Sequence, residues 1–157
     1  MKKKPSALER GRSFATYMPR TIQQVEKKLA AEGYAQAEIA AVLSRLQEER
    51  YLDDVSYAEM WIHGWITRNP MGRALISKKL QERGIDQGII NAELMKQLPE
   101  EKEEGLAMVL AQKKLKTLTG ARSTSQKAAR VGQFLTSRGF SEGVVWSVLS
   151  AVNLLQE

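Results

Sequence analysis

Three features of this 157-residue chain predict an all-α fold made of three tandem three-helix repeats. The first is a recurring string. Leu29-Ala30-Ala31-Glu32-Gly33-Tyr34 returns as Leu80-Gln81-Glu82-Arg83-Gly84-Ile85 and as Leu135-Thr136-Ser137-Arg138-Gly139-Phe140. The second is apolar spacing around those glycines. Val25, Ile76 and Val131 stand eight residues before them; Ile39, Ile90 and Val145 stand six after, and Leu43, Leu94 and Leu149 ten after. The third is the lack of alternating β-branched runs, which argues against strands. Periods of 51 and 55 residues between the glycines mark one supersecondary unit used three times. Stacked units of this kind form an elongated, curved array of about nine helices, with surfaces suited to binding rather than closed catalytic pockets. The expected domains are repeat 1 over 1–50, repeat 2 over 51–98 and repeat 3 over 99–157.

Each repeat encodes the same local event. A helix ends at Leu29, Leu80 or Leu135 and the three residues after it, and glycine then closes it in the left-handed conformation. Gly33, Gly84 and Gly139 are therefore read as structural caps. Neither the spacing nor the preceding strand of a phosphate-binding loop accompanies them. Tyr34, Ile85 and Phe140 can fold back onto the last turn, and a second helix follows at once, its apolar residues four apart on one face.

The elements follow in order. Residues 6–17 suggest a first helix stopped by Pro19. Thr21 is a natural N-cap for the next, which runs to Glu32, and a third covers about 36–49. Asp53-Asp54 opens the fourth, where one of the pair is the N-cap; it runs to about Arg68 and breaks at Asn69-Pro70-Met71-Gly72. Helices over about 73–83 and 87–98 complete the second repeat. Pro99 opens the third. Glu100, Glu101, Glu103 and Glu104 then crowd the first turns and Lys113, Lys114 and Lys116 the last, each sign at the end the helix dipole favours. After a polar loop, the last helices cover about 126–138 and 142–155, with Ser141 as a cap.

Composition narrows the function classes. Apolar residues make up 43% of the chain, enough for a packed core, and there is no cysteine for disulfides or thiolate metal sites. No stretch reaches the roughly 18 to 20 apolar residues that span a bilayer. Met1-Lys2-Lys3-Lys4 leads into no apolar segment, so no secretory signal is expected. A monomeric cytoplasmic protein fits. The net charge of +6 makes a polyanion or an acidic protein surface a plausible partner.

The search for catalytic chemistry is nearly empty. His63 is the only histidine, and it lies beside the stripe of Ala58, Trp61, Ile62, Trp65 and Ile66. A metal site on it is not expected. No serine sits in a nucleophile elbow, and Gly72 to Lys79 lacks the ending of a P-loop. No catalytic residue, cofactor or metal is expected, and the chain is not read as an enzyme. Trp61 and Trp65, one turn apart, are read as packing residues; a stacking platform is the alternative.

Charge placement is more informative. Between Gln112 and Ser141 stand seven cations and no acid: Lys113, Lys114, Lys116, Arg122, Lys127, Arg130 and Arg138. A second acid-free interval holds Arg68, Arg73, Lys78 and Lys79. Solvated helix faces usually mix signs, so the first interval is the leading candidate for phosphate or acidic-surface contact and the second is a secondary patch.

Tyr51-Leu52-Asp53-Asp54, the helix opening Tyr57-Ala58, then Arg68, Gly72 and Ile76-x-x-x-Leu80-x-x-x-Gly84-Ile85 resemble the central signature of the RecX family. The third unit, with Lys127, Phe134-Leu135, Arg138-Gly139-Phe140 and Trp146, is similar to that family's C-terminal repeat. The resemblance covers about residues 20–152. One departure stands out: Arg50 occupies the place before Tyr-Leu-Asp-Asp where the family usually has glycine. The resemblance implies a non-enzymatic regulator that binds RecA filaments on single-stranded DNA, lodging in their groove. It further implies modulation, chiefly inhibition, of RecA ATPase, strand exchange and co-protease activity in recombination, DNA repair and the SOS response. Two other readings stay open: an autonomous DNA-binding helical module, and a protein-interaction scaffold whose basic charge is incidental.

Overall fold

The computed structural model describes residues 1–118, 120 and 123–153. Nine α-helices and no strand occur among them. They are α1 (Ala7–Tyr17), α2 (Ile22–Ala31), α3 (Gln36–Glu48), α4 (Asp54–Thr67), α5 (Arg73–Glu82), α6 (Gln87–Gln97), α7 (Glu100–Thr117), α8 (Thr124–Ser137) and α9 (Glu142–Ala151). The all-α, three-by-three reading is borne out. Element ends differ from expectation by a few residues. Pro99 sits at the N-cap of α7 rather than inside it, and α8 begins earlier because Ser123 caps it.

The caps are encoded locally. Ser6, Thr21 and Ser123 each accept a backbone N–H three residues on, while Glu9, Gln24 and Gln126 reach back to the cap, forming capping boxes. Asp53 caps α4, accepting the Ser56 N–H at 3.1 Å and its hydroxyl at 3.0 Å. Gly33, Gly84 and Gly139 have φ of +86°, +79° and +86°. In each case two Schellman bonds form; around Gly33 they are Tyr34 N–H to Leu29 O at 3.2 Å and Gly33 N–H to Ala30 O at 3.0 Å. All three glycines thus end their helices in the left-handed conformation.

Backbone contacts divide the chain into two compact units. The first comprises Met1–Met60 with Leu80–Ile90, the second Trp61–Lys79 with the chain from Asn91 onward. The middle repeat contributes to both, since α4, α5 and α6 each begin in one unit and end in the other.

In the first unit α1, α2 and α3 pack mutually around Val25, Leu29, Ile39, Val42, Leu46 and Leu52. Its joint to the following repeat is built on α5. The Thr21 hydroxyl donates to Arg83 O at 2.6 Å, and a Cβ on Gly84 would lie 2.5 Å from that of Gln23. Asp54 accepts the N–H of Ile22, the first residue of α2, at 3.0 Å.

In the second unit α7, α8 and α9 pack around Ala107, Ala111, Val131, Leu135, Phe140 and Val148. The same joint recurs one repeat later. Gly72, whose carbonyl receives the Ile76 N–H, holds the N-cap place of α5 and donates its N–H to Arg138 O at 2.8 Å. Glu103 accepts the N–H of Arg73, the first residue of α5, at 3.0 Å. So in both joints a carboxylate from the next repeat's first helix caps the second helix of the repeat before it. Burial raises the pKa of both carboxyls.

Candidate functional site

The cationic residues singled out in the sequence split into three groups. All the described ones lie in the second unit. Arg122 lies outside the described residues.

The first group forms an edge between α7 and α8. Lys127, Arg130 and Phe134 follow helical spacing on α8 and share one side of it. Lys114 reaches across from α7, its Nζ 5.2 Å from the centroid of the Phe134 ring. Lys113, Lys116 and Arg130 are exposed; Lys114 and Lys127 are half-buried. This brings Lys114, Lys127 and Arg130 to one edge. The α7 carboxylates begin at Glu104, ten residues and about 15 Å away along the helix. This edge therefore stands apart from the α7 carboxylates.

The second group is Arg138 alone. Its guanidinium donates to Pro70 O at 2.6 and 3.1 Å and to Asn69 Oδ1 at 2.6 Å. It braces the loop that leads into α5 beside the Gly72 contact. Arg138 is thus a strut of the joint, committed to neutral acceptors within its own unit.

The third group is the secondary patch. Arg68 and Lys78 are exposed. Arg73 lies 3.9 Å from Glu100, and Lys79 sits 5.9 Å from the Trp65 ring centroid. Two of the four cations thus have neighbours within the unit, a carboxylate for Arg73 and an aromatic ring for Lys79. Trp65 is buried and stacks obliquely on half-buried Trp61, centroids 5.4 Å apart, as the packing reading expected.

Sequence reasoning missed a second basic site, in the first unit. Arg20, Arg50 and Tyr51 line a cleft between the end of α3 and the start of α4. Arg50 and Tyr51 stand between Glu48-Glu49 and Asp53-Asp54, so counting acid-free intervals could not find them. The signal available was Arg50 itself, standing where glycine was expected.

Among the described residues no group of three His, Cys, Asp or Glu side chains could hold a metal, and no helix is long and apolar enough to cross a membrane. His63 is exposed.

Comparison with known proteins supplies the family. Residues 7–46, 53–94 and 101–149 match the models of the RecX first, second and third three-helix domains. The regulatory protein RecX of Bacillus cytotoxicus is 32% identical over 133 residues, covering 85% of this chain and 48% of that protein. That of Oceanobacillus iheyensis is 27% identical over 144 residues, covering 92% of this chain and 52% of that protein. The chain thus spans about half the length of the curated relatives it matches. The crystal structure of RecX from Lactobacillus salivarius superposes with a TM-score of 0.81 at 22% identity, covering 95% of this chain and 98% of that one. A second crystal structure, of regulatory protein RecX, gives 0.80 at 26% identity, covering 92% and 71%. With three consecutive family domains across most of its length and the predicted helices in place, the chain belongs to the RecX family.

Proposed function

We propose that this protein is a regulator of the RecA recombinase: it binds RecA filaments on single-stranded DNA and inhibits their ATPase, strand-exchange and co-protease activities. Its place is then the cytoplasm, acting as a monomer in recombination, DNA repair and the SOS response. The observation that supports this best is the edge of Lys114, Lys127 and Arg130 around Phe134, in a chain made of RecX domains. Cations clear of carboxylates suit phosphates or an acidic protein face, and such contacts position a partner without reading sequence. Autonomous base reading is less well served. Asp86 and Ser141-Glu142 stand at the starts of α6 and α9, where a carboxylate meets DNA phosphates unfavourably.

The test is RecA ATP hydrolysis on single-stranded DNA at physiological salt, titrated with this protein. Loss of hydrolysis well below one chain per RecA monomer is expected. The double variant Lys127→Glu, Arg130→Glu should weaken filament binding at least tenfold with helical circular dichroism unchanged; Arg138 stays untouched because it braces the fold. No loss of hydrolysis even at excess protein overturns the reading. Tight, salt-sensitive DNA binding in that case would favour an autonomous DNA-binding module.

A further inference from the structure

Arg50 closes α3 in the same Schellman geometry as the three repeat glycines. Tyr51 N–H donates to Leu46 O at 2.8 Å and Arg50 N–H to Gln47 O at 3.0 Å, with Arg50 at φ +60°. A side chain there is disfavoured relative to glycine, because its Cβ crowds the backbone at positive φ. Strain of this kind, seen at a cleft, points toward a use for the side chain.

The cleft beside it has a volume of about 210 Å³ and is bounded by Pro19, Arg20, Arg50, Tyr51 and Met60. Arg20 is preset: its guanidinium lies over the Phe14 ring, 4.0 Å from the centroid. Tyr51 is 41% exposed, so ring surface remains available even with Arg12 5.6 Å from its centroid. One carboxylate, Asp53, shares the cleft. Both its oxygens are already held by Ser56, whose N–H and hydroxyl, in that order, lower its pKa.

We propose that this cleft seats one nucleotide unit of a single-stranded DNA chain, the phosphate against Arg20 and Arg50 and the base against Tyr51 and Met60. Guanidinium forks suit phosphate, and an aromatic ring beside them suits a base of any sequence. Tyr51 favours a nucleotide over an acidic peptide, because its exposed ring can stack on a base whereas an acidic side chain offers no aromatic face to it. The size favours one unit of a polymer over a free metabolite, since enclosed small-molecule pockets run to about 300–1,000 Å³. The inference rests on the reading above only for the presence of single-stranded DNA.

The decisive variant is Arg50→Gly, which removes the guanidinium while easing the turn. Binding of the 157-residue chain to a fluorescent oligothymidylate is followed by anisotropy across a salt series. The variant should melt at least as high as the wild type, bind about fivefold more weakly, and show a log K against log salt slope shallower by about 0.7, the loss of one phosphate contact. Arg20→Gln and Tyr51→Ala should weaken binding without changing the helical circular dichroism. Unchanged affinity and slope in Arg50→Gly overturn the proposal. So does competition by oligoglutamate as effective as by unlabelled oligothymidylate, which would make the ligand an acidic peptide. Equal competition by thymidine monophosphate, matched in nucleotide concentration, would make it a free nucleotide. If the wild type inhibits RecA but has no oligothymidylate affinity, the cleft falls and the regulatory reading stands. If Arg50→Gly loses DNA affinity while neither protein affects RecA, the cleft stands and the regulatory reading falls.

Discussion

Gly84 and Gly139 occupy the same place in successive repeats, yet each is held differently. At Gly84 the nearest atoms to an added Cβ all belong to the Gln23 side chain, at 2.4 to 2.6 Å. At Gly139 they belong to Leu75, whose Cβ would be 2.2 Å away and backbone nitrogen 2.7 Å away. The capping partner differs in the same sense. Thr21 uses a side-chain hydroxyl to reach Arg83 O, whereas Gly72 uses its backbone N–H to reach Arg138 O. A Cβ on Gly72 would lie 2.3 Å from Gly139 O. The second joint is thus a closer backbone-to-backbone approach, and two glycines are needed where the first joint needs one. Gly33 completes the comparison. It has the same left-handed φ, but an added Cβ would come no nearer to a neighbour than 4.0 Å, at Lys4 Nζ, the end of a flexible side chain.

The largest effects should come from the glycines. Alanine at position 139 meets both positive φ and rigid backbone, and should cost roughly 2–5 kcal/mol in chemical denaturation. Alanine at 84 should cost less than at 139, because the end of Gln23 can swing aside. Alanine at 33 should cost only about 1–2 kcal/mol, the conformational term alone. Equal losses at all three would show that the joints contribute nothing beyond the cap.

A smaller effect is expected at the cap of α2. Thr21→Val keeps the shape of a fully buried residue but removes both the N-cap acceptor and the donor to Arg83 O. The loss should be about 1–3 kcal/mol, measured from urea midpoints. A wild-type midpoint would place the weight of the first joint on packing alone.

The smallest effect depends on pH. Burial raises the Glu103 pKa above its ordinary value of 4.5, so its ionised form weighs against the folded state. That penalty is absent below 4.5 and complete once pH has risen past the folded value. Glu103→Gln keeps an oxygen for the Arg73 N–H without the charge. Its melting temperature relative to wild type should therefore climb as pH rises through this window and level off at neutrality. A pH-independent difference would show that burial of the charge is not what separates the two proteins.

Much of this architecture was legible in the residues. Apolar positions at fixed offsets from a glycine specify a helix, its end and the face of the next helix, and all of these are short-range consequences of sterics and 3.6-residue periodicity. Val25, Ile76 and Val131, like Leu29, Leu80 and Leu135, are fully buried as their spacing required. The cationic edge was partly legible. Helical spacing places Lys127 and Arg130 together, but that Lys114 joins them across Phe134 depends on how α7 meets α8. Arg138 shows the opposite outcome: its charge suggested a partner, and Asn69 and Pro70, 69 and 68 residues distant in sequence, engage it instead.

By itself, then, the sequence determined the helices, their caps, the threefold repeat and the kinship to RecX proteins, because each rests on local conformation and pattern. Only the tertiary structure decided which glycines also need empty space, which carboxylate caps which distant helix, and that Arg20 and Arg50 face one cleft. Those depend on distances between segments far apart in the chain, which local sterics and periodicity do not constrain.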